Sequence, residues 1–296
     1  MPDIALRLNL DMLVLSAPTE RRVVGDSSDF DADLAYLALM EPETLAEPLR
    51  LEQVAGAQCL VPSTEFLTPA RLRRCRVEGS AELLAKNVLE STFELEPQHV
   101  LAPIGPCGLP LDPESKSSLN ENRAEYAAAV RVLDAFDVDA LFLDGFTSLA
   151  DLKCALMGTL QITGKPVFCS VDADAEGGLD GGRSTVEEAA SLAQDMGAAV
   201  FGFSTPAAPL AAAQIARRAA GACDLPLLAQ LQVGTVNPRQ FEATPENPYY
   251  HPDTMVKAAA QLYAAGVQFL RATGAATPAY TGALVATVTG LDVRPR

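Results

Sequence analysis

Eight alternations of a short apolar run and a helical segment predict an α/β fold, a (β/α)8 barrel that forms one domain over residues 1–296. The length of 296 residues suits a single barrel, and a hydrophobic fraction of 49% is enough to build its core. A doubly wound open sheet is the alternative fold. It is disfavoured because no Gly-x-Gly-x-x-Gly turn follows an early strand.

The predicted strands are runs of four to seven mostly apolar residues. They are Met12–Leu15, Cys59–Pro62, Val100–Ile104, Ala140–Leu143, Pro166–Val171, Ala199–Phe203, Leu225–Leu231 and Val267–Leu270. The predicted helices carry apolar residues near a spacing of 3.6. They are Thr44–Ala55, Ala81–Leu89, Asn120–Phe136, Leu149–Leu160, Thr185–Met196, Leu210–Ala222, Thr254–Ala265 and Ala279–Val288. The segments Arg21–Phe30 and Arg71–Gly79 lack clear periodicity and are predicted to be irregular.

Polar residues and glycines mark several helix ends. Ser118 or Asn120 is expected to cap the third helix, and Ser184 or Thr185, followed by two glutamates, is expected to cap the fifth. Glycines that accept a left-handed backbone end three helices, at Gly197, Gly221 and Gly266.

The charge balance excludes several classes of partner. A formal net charge of −16 argues against nucleic acid and against an anionic membrane surface, since both require clustered cations. Met1–Ile4 shows no signal-peptide pattern, and no apolar stretch approaches the ~20 residues that span a bilayer. Six scattered cysteines are typical of a reduced, cytoplasmic protein.

Candidate binding residues follow the predicted strands, because barrel sites form at the carboxyl ends of the strands. The candidates for substrate binding are Thr64, Glu65, Asp144, Ser170, Ser204, Thr205, Gln232, Arg271 and Thr273. Arg271 is expected to pair internally with Asp144 or Glu65, or otherwise to bind an anionic ligand. Asp172 and Asp174 precede a glycine-rich stretch and are interpreted mainly as part of a surface loop.

Residues 269–280, with the sequence FLRATGAATPAY, resemble the Gly-Gly-Cys-Cys-Gly-Thr-Thr-Pro signature of the homocysteine S-methyltransferase family. Thr277 and Pro278 match this signature, while Thr273 and Gly274 stand at its two zinc-binding cysteines. Further segments are similar in the same order along the chain. They include Leu13–Glu20, Lys165–Ser170 and Gly202–Thr205, and Thr205 stands at the third zinc thiolate.

The resemblance implies methyl transfer to a thiol or related small acceptor, as in methionine biosynthesis. The donor would be methylfolate through a corrinoid, S-adenosylmethionine or S-methylmethionine, so a corrinoid or folate protein is an expected partner. The family uses zinc, but Thr205, Thr273 and Gly274 provide no thiolate, so no cofactor is predicted for this chain. Cys107 and His251 are the nearest replacement ligands, and one Cys with one His does not complete a zinc site.

Two further interpretations remain open. In the first, the chain is a non-catalytic barrel subunit that binds a small molecule, such as an amino acid or a thiol, or binds a protein partner. In the second, Asp144 and His251 perform acid–base catalysis without a metal. The proline-rich loop Asn237–Pro252 is expected to cover the mouth of the barrel.

Overall fold

Parallel strands and surrounding helices form a (β/α)8 barrel, as the sequence predicts. The computed structural model describes residues 3–25, 27–235 and 242–293. Within these residues the barrel strands are β1 (Leu13–Val14), β2 (Cys59–Leu60), β3 (His99–Ile104), β4 (Ala140–Phe146), β5 (Val167–Asp172), β6 (Val200–Thr205), β7 (Leu227–Val233) and β8 (Val267–Gly274). A short antiparallel hairpin, Gly178–Leu179 with Ser184–Thr185, follows β5.

The barrel is closed between its first two strands. Each strand from β2 to β7 pairs in parallel with the next barrel strand along the chain, and β8 pairs with β1. A parallel bridge joins Leu15 to Cys59, and the Ser16 amide donates to the Cys59 carbonyl at 2.9 Å. The carboxyl ends of all eight described strands therefore meet at one end of the barrel, which we call the mouth.

Helices surround the barrel. Those of the described residues are α1 (Ile4–Arg7), α2 (Glu20–Val24), α3 (Phe30–Met40), α4 (Pro42–Val54), α5 (Pro69–Arg74), α6 (Ala81–Phe93), α7 (Lys116–Leu133), α8 (Leu149–Leu160), α9 (Val186–Met196), α10 (Pro209–Ala220), α11 (Asp253–Ala264) and α12 (Pro278–Val288). None of them is long and apolar enough to cross a membrane.

The helix ends confirm part of the sequence prediction. Thr185 caps α9 in a capping box with Glu188, and Gly197 ends that helix with a φ of 90°. The cap of α7 was predicted wrongly. Ser115 caps this helix, because its hydroxyl accepts the Ser118 amide one turn before the predicted start. Gly221 also differs from expectation, since its φ of −78° is right-handed.

The first half of the chain is more helical than predicted. The segments expected to be irregular contain most of α2, the start of α3 and much of α5, with a 3-10 turn at Glu78–Ser80. These short elements depend on tertiary contacts for their stability. Arg71 of α5, for example, pairs with Asp31 of α3 at 2.5 Å, and such a contact leaves no periodic signal in the sequence.

The lower part of the barrel interior is filled by side chains. Leu13, Phe142, Phe168 and Phe269 belong to one buried cluster inside the strands, and Ile4 of α1 packs against them. The rings of Phe168 and Phe269 meet edge to face with centroids 5.0 Å apart. Full burial of each such side chain contributes about 2–3 kcal/mol. This apolar layer fills the interior below the polar side chains of the mouth.

Candidate functional site at the barrel mouth

A buried polar network crosses the mouth from β4 to β8. Arg271 Nη1 donates to Asp144 Oδ2 at 2.8 Å and to Gln230 Oε1 at 3.1 Å. Gln230 Nε2 donates in turn to Asp144 Oδ1 and to Ser170 Oγ, both at 2.7 Å. The predicted ion pair between Arg271 and Asp144 is thus confirmed, and Gln230 is an added member of the network.

Arg271 is held firmly in this position. Its side chain is 4% exposed, its Nε donates to the Ser16 carbonyl at 2.8 Å, and its guanidinium lies 5.7 Å from the centre of the Phe142 ring. Asp144 and Phe142 lie on β4, Gln230 lies on β7, and Ser16 follows β1, so the side chain ties β8 to β4, β7 and the end of β1. A guanidinium suits this position because it donates several hydrogen bonds in one plane.

Beside the network, a cavity of about 480 Å³ opens at the carboxyl ends of β4 to β8. Its polar lining includes Asp144, Asp172, Ser204, Gln232, Glu246 and Thr273. The volume falls within the usual range for small-molecule sites. Three of the lining side chains are carboxylic acids, so the cavity favours a ligand that carries positive charge.

Asp172 is the residue of the cavity with the most perturbed acidity. Burial and the nearby Asp144 carboxyl raise the pKa of Asp172 to about 6, and a hydrogen bond with Ser204 opposes this shift. The interpretation of Asp172 as a surface-loop residue is therefore wrong. It ends β5 and lines the cavity, whereas Asp174 is exposed and accepts the amides of Glu176 and Gly178. Alternation along a strand would have placed Asp172 on the same face as Ser170.

A second acidic group lies at the ends of β1 and β2. Ser63 Oγ donates to Glu20 Oε1 at 2.9 Å, and burial together with Glu20 raises the pKa of Glu65, although Arg71 opposes the shift. Arg71 itself donates to the Glu65 carbonyl at 2.7 Å and pairs with Asp31. Arg271 therefore pairs with Asp144 and not with Glu65.

The other predicted residues divide into two groups. Gln232 Nε2 donates to Ser204 Oγ at 2.9 Å, and both side chains line the cavity. Thr64 and Thr205 instead form hydrogen bonds with the backbone. Thr64 Oγ1 donates to the Pro103 carbonyl, and Thr205 Oγ1 donates to the Asp174 carbonyl. Thr273 lines the cavity, but its hydroxyl oxygen is buried with no hydrogen-bond partner in the described part of the chain.

Cys107 and His251 do not join the site. Cys107 is buried, its Sγ donates to Asn122 Oδ1 at 3.2 Å, and burial raises the pKa of its thiol. His251 is exposed, packs edge-on against Tyr250 and is not part of the cavity lining. The geometry thus gives no support to an acid–base pair of Asp144 with His251.

The loop after β7 reaches the mouth, as predicted. Residues 236–241 lie outside the described residues, and Glu246 from the described part of the loop lines the cavity. Asn247 Oδ1 accepts the Gly234 amide, and Tyr249 donates its hydroxyl to the Ala207 carbonyl at 2.6 Å. These contacts hold the described part of the loop against β7 and the β6–α10 connection.

Comparison with known proteins assigns this barrel to a family. The model of the homocysteine S-methyltransferase family matches residues 54–275, about three quarters of the chain. The chain belongs to the homocysteine S-methyltransferase family. This family and the fold support methyl transfer in general. A comparison with curated proteins finds no significant match.

Solved structures share the fold. The metallated form of the homocysteine methyltransferase MmuM from Escherichia coli superimposes with a TM-score of 0.75 and 16% identity, covering 96% of this chain and 98% of that chain. The oxidized form of MmuM gives a TM-score of 0.74, and its apo form gives 0.70. At this identity the likeness concerns the barrel alone.

The mouth does not fit the zinc site that the resemblance implies. Thr205 Oγ1 donates a hydrogen bond to the Asp174 carbonyl, and Gly274 has no side chain. The Thr273 hydroxyl is a poor zinc ligand compared with a thiolate. Among the described residues, no three His, Cys, Asp or Glu side chains form a group that could hold a metal ion. That Thr205, Thr273 and Gly274 occupy the family's thiolate positions remains a prediction from the sequence.

Proposed function

We propose that this protein transfers a methyl group to a small thiol or related acceptor in the mouth cavity, with the Asp172 carboxylate as the base. The observation that carries the proposal is the position of Asp172, a partly buried carboxyl in a cavity of about 480 Å³ with a pKa raised to about 6. Such a group is mostly ionised at neutral pH, yet it accepts a proton more readily than an ordinary aspartate.

The reaction balances without a metal. The acceptor atom attacks the methyl carbon of a sulfonium donor, such as S-methylmethionine or S-adenosylmethionine, and a new bond to carbon forms. The old carbon–sulfur bond breaks, and its electron pair remains on the donor sulfur as a neutral thioether. Asp172 takes the proton that the acceptor loses. The acidic lining favours the positively charged donor over the neutral product.

The ion pair at the back of the cavity has a positioning role in this proposal. Arg271 neutralises Asp144 and orients Gln230, so a rigid polar wall lies beside Asp172. Without that cation, two neighbouring carboxylates would repel each other, and the pKa of Asp172 would rise further. We expect this wall to keep the pKa of Asp172 near the working pH.

The test uses chelator-treated protein with S-methylmethionine or S-adenosylmethionine as donor and L-homocysteine as acceptor, and measures methionine by mass spectrometry. We expect turnover without added zinc. Asp172→Asn should lower kcat by about 10²–10⁴, since that is the usual contribution of a general base. The pH dependence of kcat near pH 6 should disappear in the same variant.

Asp174→Asn is the matched control, because Asp174 lies on the same chain segment and its side chain bonds only the exposed loop backbone. This variant should retain the wild-type kcat. If Asp172→Asn keeps full activity, or if activity is lost on chelation and restored by zinc, the role of Asp172 is disproved.

A second candidate is a non-catalytic barrel that binds an amino acid or a thiol. The predicted replacement of the family's zinc thiolates by Thr205, Thr273 and Gly274 favours it, because none of these residues provides a thiolate that could activate a thiol through zinc. Stabilisation of the protein by L-homocysteine without turnover of either sulfonium would support this candidate. Turnover only with a corrinoid or folate partner protein would instead restore the transferase.

A further inference from the structure

A groove on the outer surface, between α7 and α8, is chemically unlike the mouth. Its volume is about 510 Å³, its apolar surface includes Leu119, Cys154 and Met157, and its cations are Lys116, Arg123 and Lys153. The two helices contribute residues spaced by three or four positions, so one face of each helix forms one wall. The groove is separate from the mouth cavity and shares none of its lining residues.

Close helix packing at one point sets the shape of this groove. A Cβ atom at Gly158 would lie 2.5 Å from the Arg123 carbonyl oxygen and 3.1 Å from the Ala127 amide nitrogen, so α7 and α8 are in direct backbone contact there. The groove lies on the N-terminal side of this contact, because its lining residues end at Arg123 on α7 and at Met157 on α8. The Sγ of Cys154 donates to the Leu119 carbonyl at 3.7 Å and helps to fix the floor.

The groove is cationic in a protein with a net charge of −16. No carboxylate lines it, and none of its three cations forms an ion pair within the described residues. Arg123 Nη2 donates to Asn120 Oδ1 at 3.1 Å, which leaves most of the guanidinium donors available. Cations of this kind beside an apolar floor attract an anion more strongly than the same charges fully in water.

We propose that this groove binds an organic anion with an apolar body, of the size and chemistry of a medium-chain carboxylate. The apolar chain would lie on Leu119 and Met157, and the carboxylate would face Arg123 and Lys153. The volume falls within the range typical of small-molecule sites. The proposal does not depend on the reaction at the mouth.

The test is a titration of the whole protein with decanoate, observed through ¹³C-labelled methionine methyl groups. Six methionines are present in the chain, and Met157→Leu identifies the signal of the groove. We expect the Met157 methyl signal to shift and saturate, while Met255, buried on α11, does not move. Decanol, which has the chain without the charge, should bind more weakly.

Removing two cations of the groove distinguishes specific binding from nonspecific adsorption to the protein surface. The double variant Arg123→Gln, Lys153→Gln should weaken decanoate binding about tenfold, because two partly screened ion pairs are lost. Arg217→Gln with Lys257→Gln, which removes two exposed cations elsewhere, is the matched control and should bind as the wild type does. An unmoved Met157 signal, or equal affinities for the two double variants, would overturn the proposal.

Discussion

At the base of the barrel Asp139 contacts a histidine, whereas at the mouth Asp172 contacts no cation among the described residues. His99 Nδ1 lies 3.1 Å from Asp139 Oδ1, and the Val100 amide donates to Asp139 Oδ2 at 2.8 Å. Burial alone would raise the pKa of Asp139, but these hydrogen bonds lower it below its usual range. Burial and Asp144 raise the pKa of Asp172 to about 6.

The same side chain therefore serves two purposes at opposite ends of the strands. An aspartate with partners stabilises the folded state, while an aspartate held beside another carboxyl makes the folded state less stable as pH rises. A broad cavity of about 950 Å³ also lies at the base, beside Asp139 and Lys165. Size alone thus does not identify the site, whereas a carboxyl with a raised pKa that lines a cavity, as Asp172 does, marks a candidate base.

The largest expected effect is the loss of the buried cation at the mouth. Arg271→Ala should lower the free energy of unfolding by about 3–5 kcal/mol, because Asp144 and Gln230 would lose their buried partner. Urea denaturation at pH 7 measures this difference. Arg50→Ala, which breaks an exposed pair with Glu47, is the control. If both variants lowered the free energy of unfolding by the same small amount, the expected difference between buried and exposed ion pairs would be contradicted.

Asp172→Asn should raise the free energy of unfolding, in contrast to Arg271→Ala. A carboxyl whose pKa is raised on folding loses stability as pH rises from its unfolded pKa of about 4 to its folded pKa of about 6. The variant lacks this loss, so at pH 8 it should be more stable than the wild type by about 1–2 kcal/mol. Thermal unfolding at pH 4 and pH 8 checks the prediction, since the advantage should be confined to the higher pH.

Asp139→Asn should be destabilising at neutral pH. The lowered pKa of Asp139 gives stability that is present above the unfolded pKa and is lost as pH falls through the folded pKa. We expect a loss of about 1 kcal/mol at pH 7 that shrinks below pH ~4. Urea denaturation across this pH range measures the trend, and a loss that is constant with pH would indicate a packing effect.

The smallest change in the free energy of unfolding is expected on the outer surface, away from both the base and the mouth of the barrel. Lys86 and Glu90 form a long 3.8 Å pair on α6, with both side chains more than half exposed. Lys86→Ala should change the free energy of unfolding by less than about 0.5 kcal/mol, because solvent screens the pair. A loss comparable to that of Asp139→Asn would show that exposure does not govern these pairs.

The fold could be predicted from local patterns, with errors where those patterns are weak. Helices α8 and α9 agree with the expected segments to within a residue, and the capping residue Thr185 and Gly197 mark the ends of α9. Strands β4 to β8 end later than predicted, since polar residues such as Asp172 continue the pairing. Helices α2 and α5 have no clear periodicity in the sequence, because these short elements depend on tertiary contacts for their stability.

The candidate site could be predicted only in part. The pairing of Arg271 with Asp144 followed from their positions at two strand ends, and the structure brings them within 2.8 Å. Asp-x-Asp before glycines is typical of a surface turn, yet Asp172 lines the cavity. Thr64 follows a strand, as a site residue of a barrel does, yet its hydroxyl donates to the Pro103 carbonyl. The position of a residue along the chain does not reveal whether its side chain faces the cavity or forms a hydrogen bond with the backbone.

The sequence by itself determined the barrel, the acidic character and the family, because each depends on periodicity, composition or residue order. The tertiary structure decided which carboxyls are paired and which are not. Asp139 and Asp172 are the same residue type, and their pKa values move in opposite directions. The physical reason is that acidity depends on burial and on neighbouring charges from distant strands, and only folding brings those groups together.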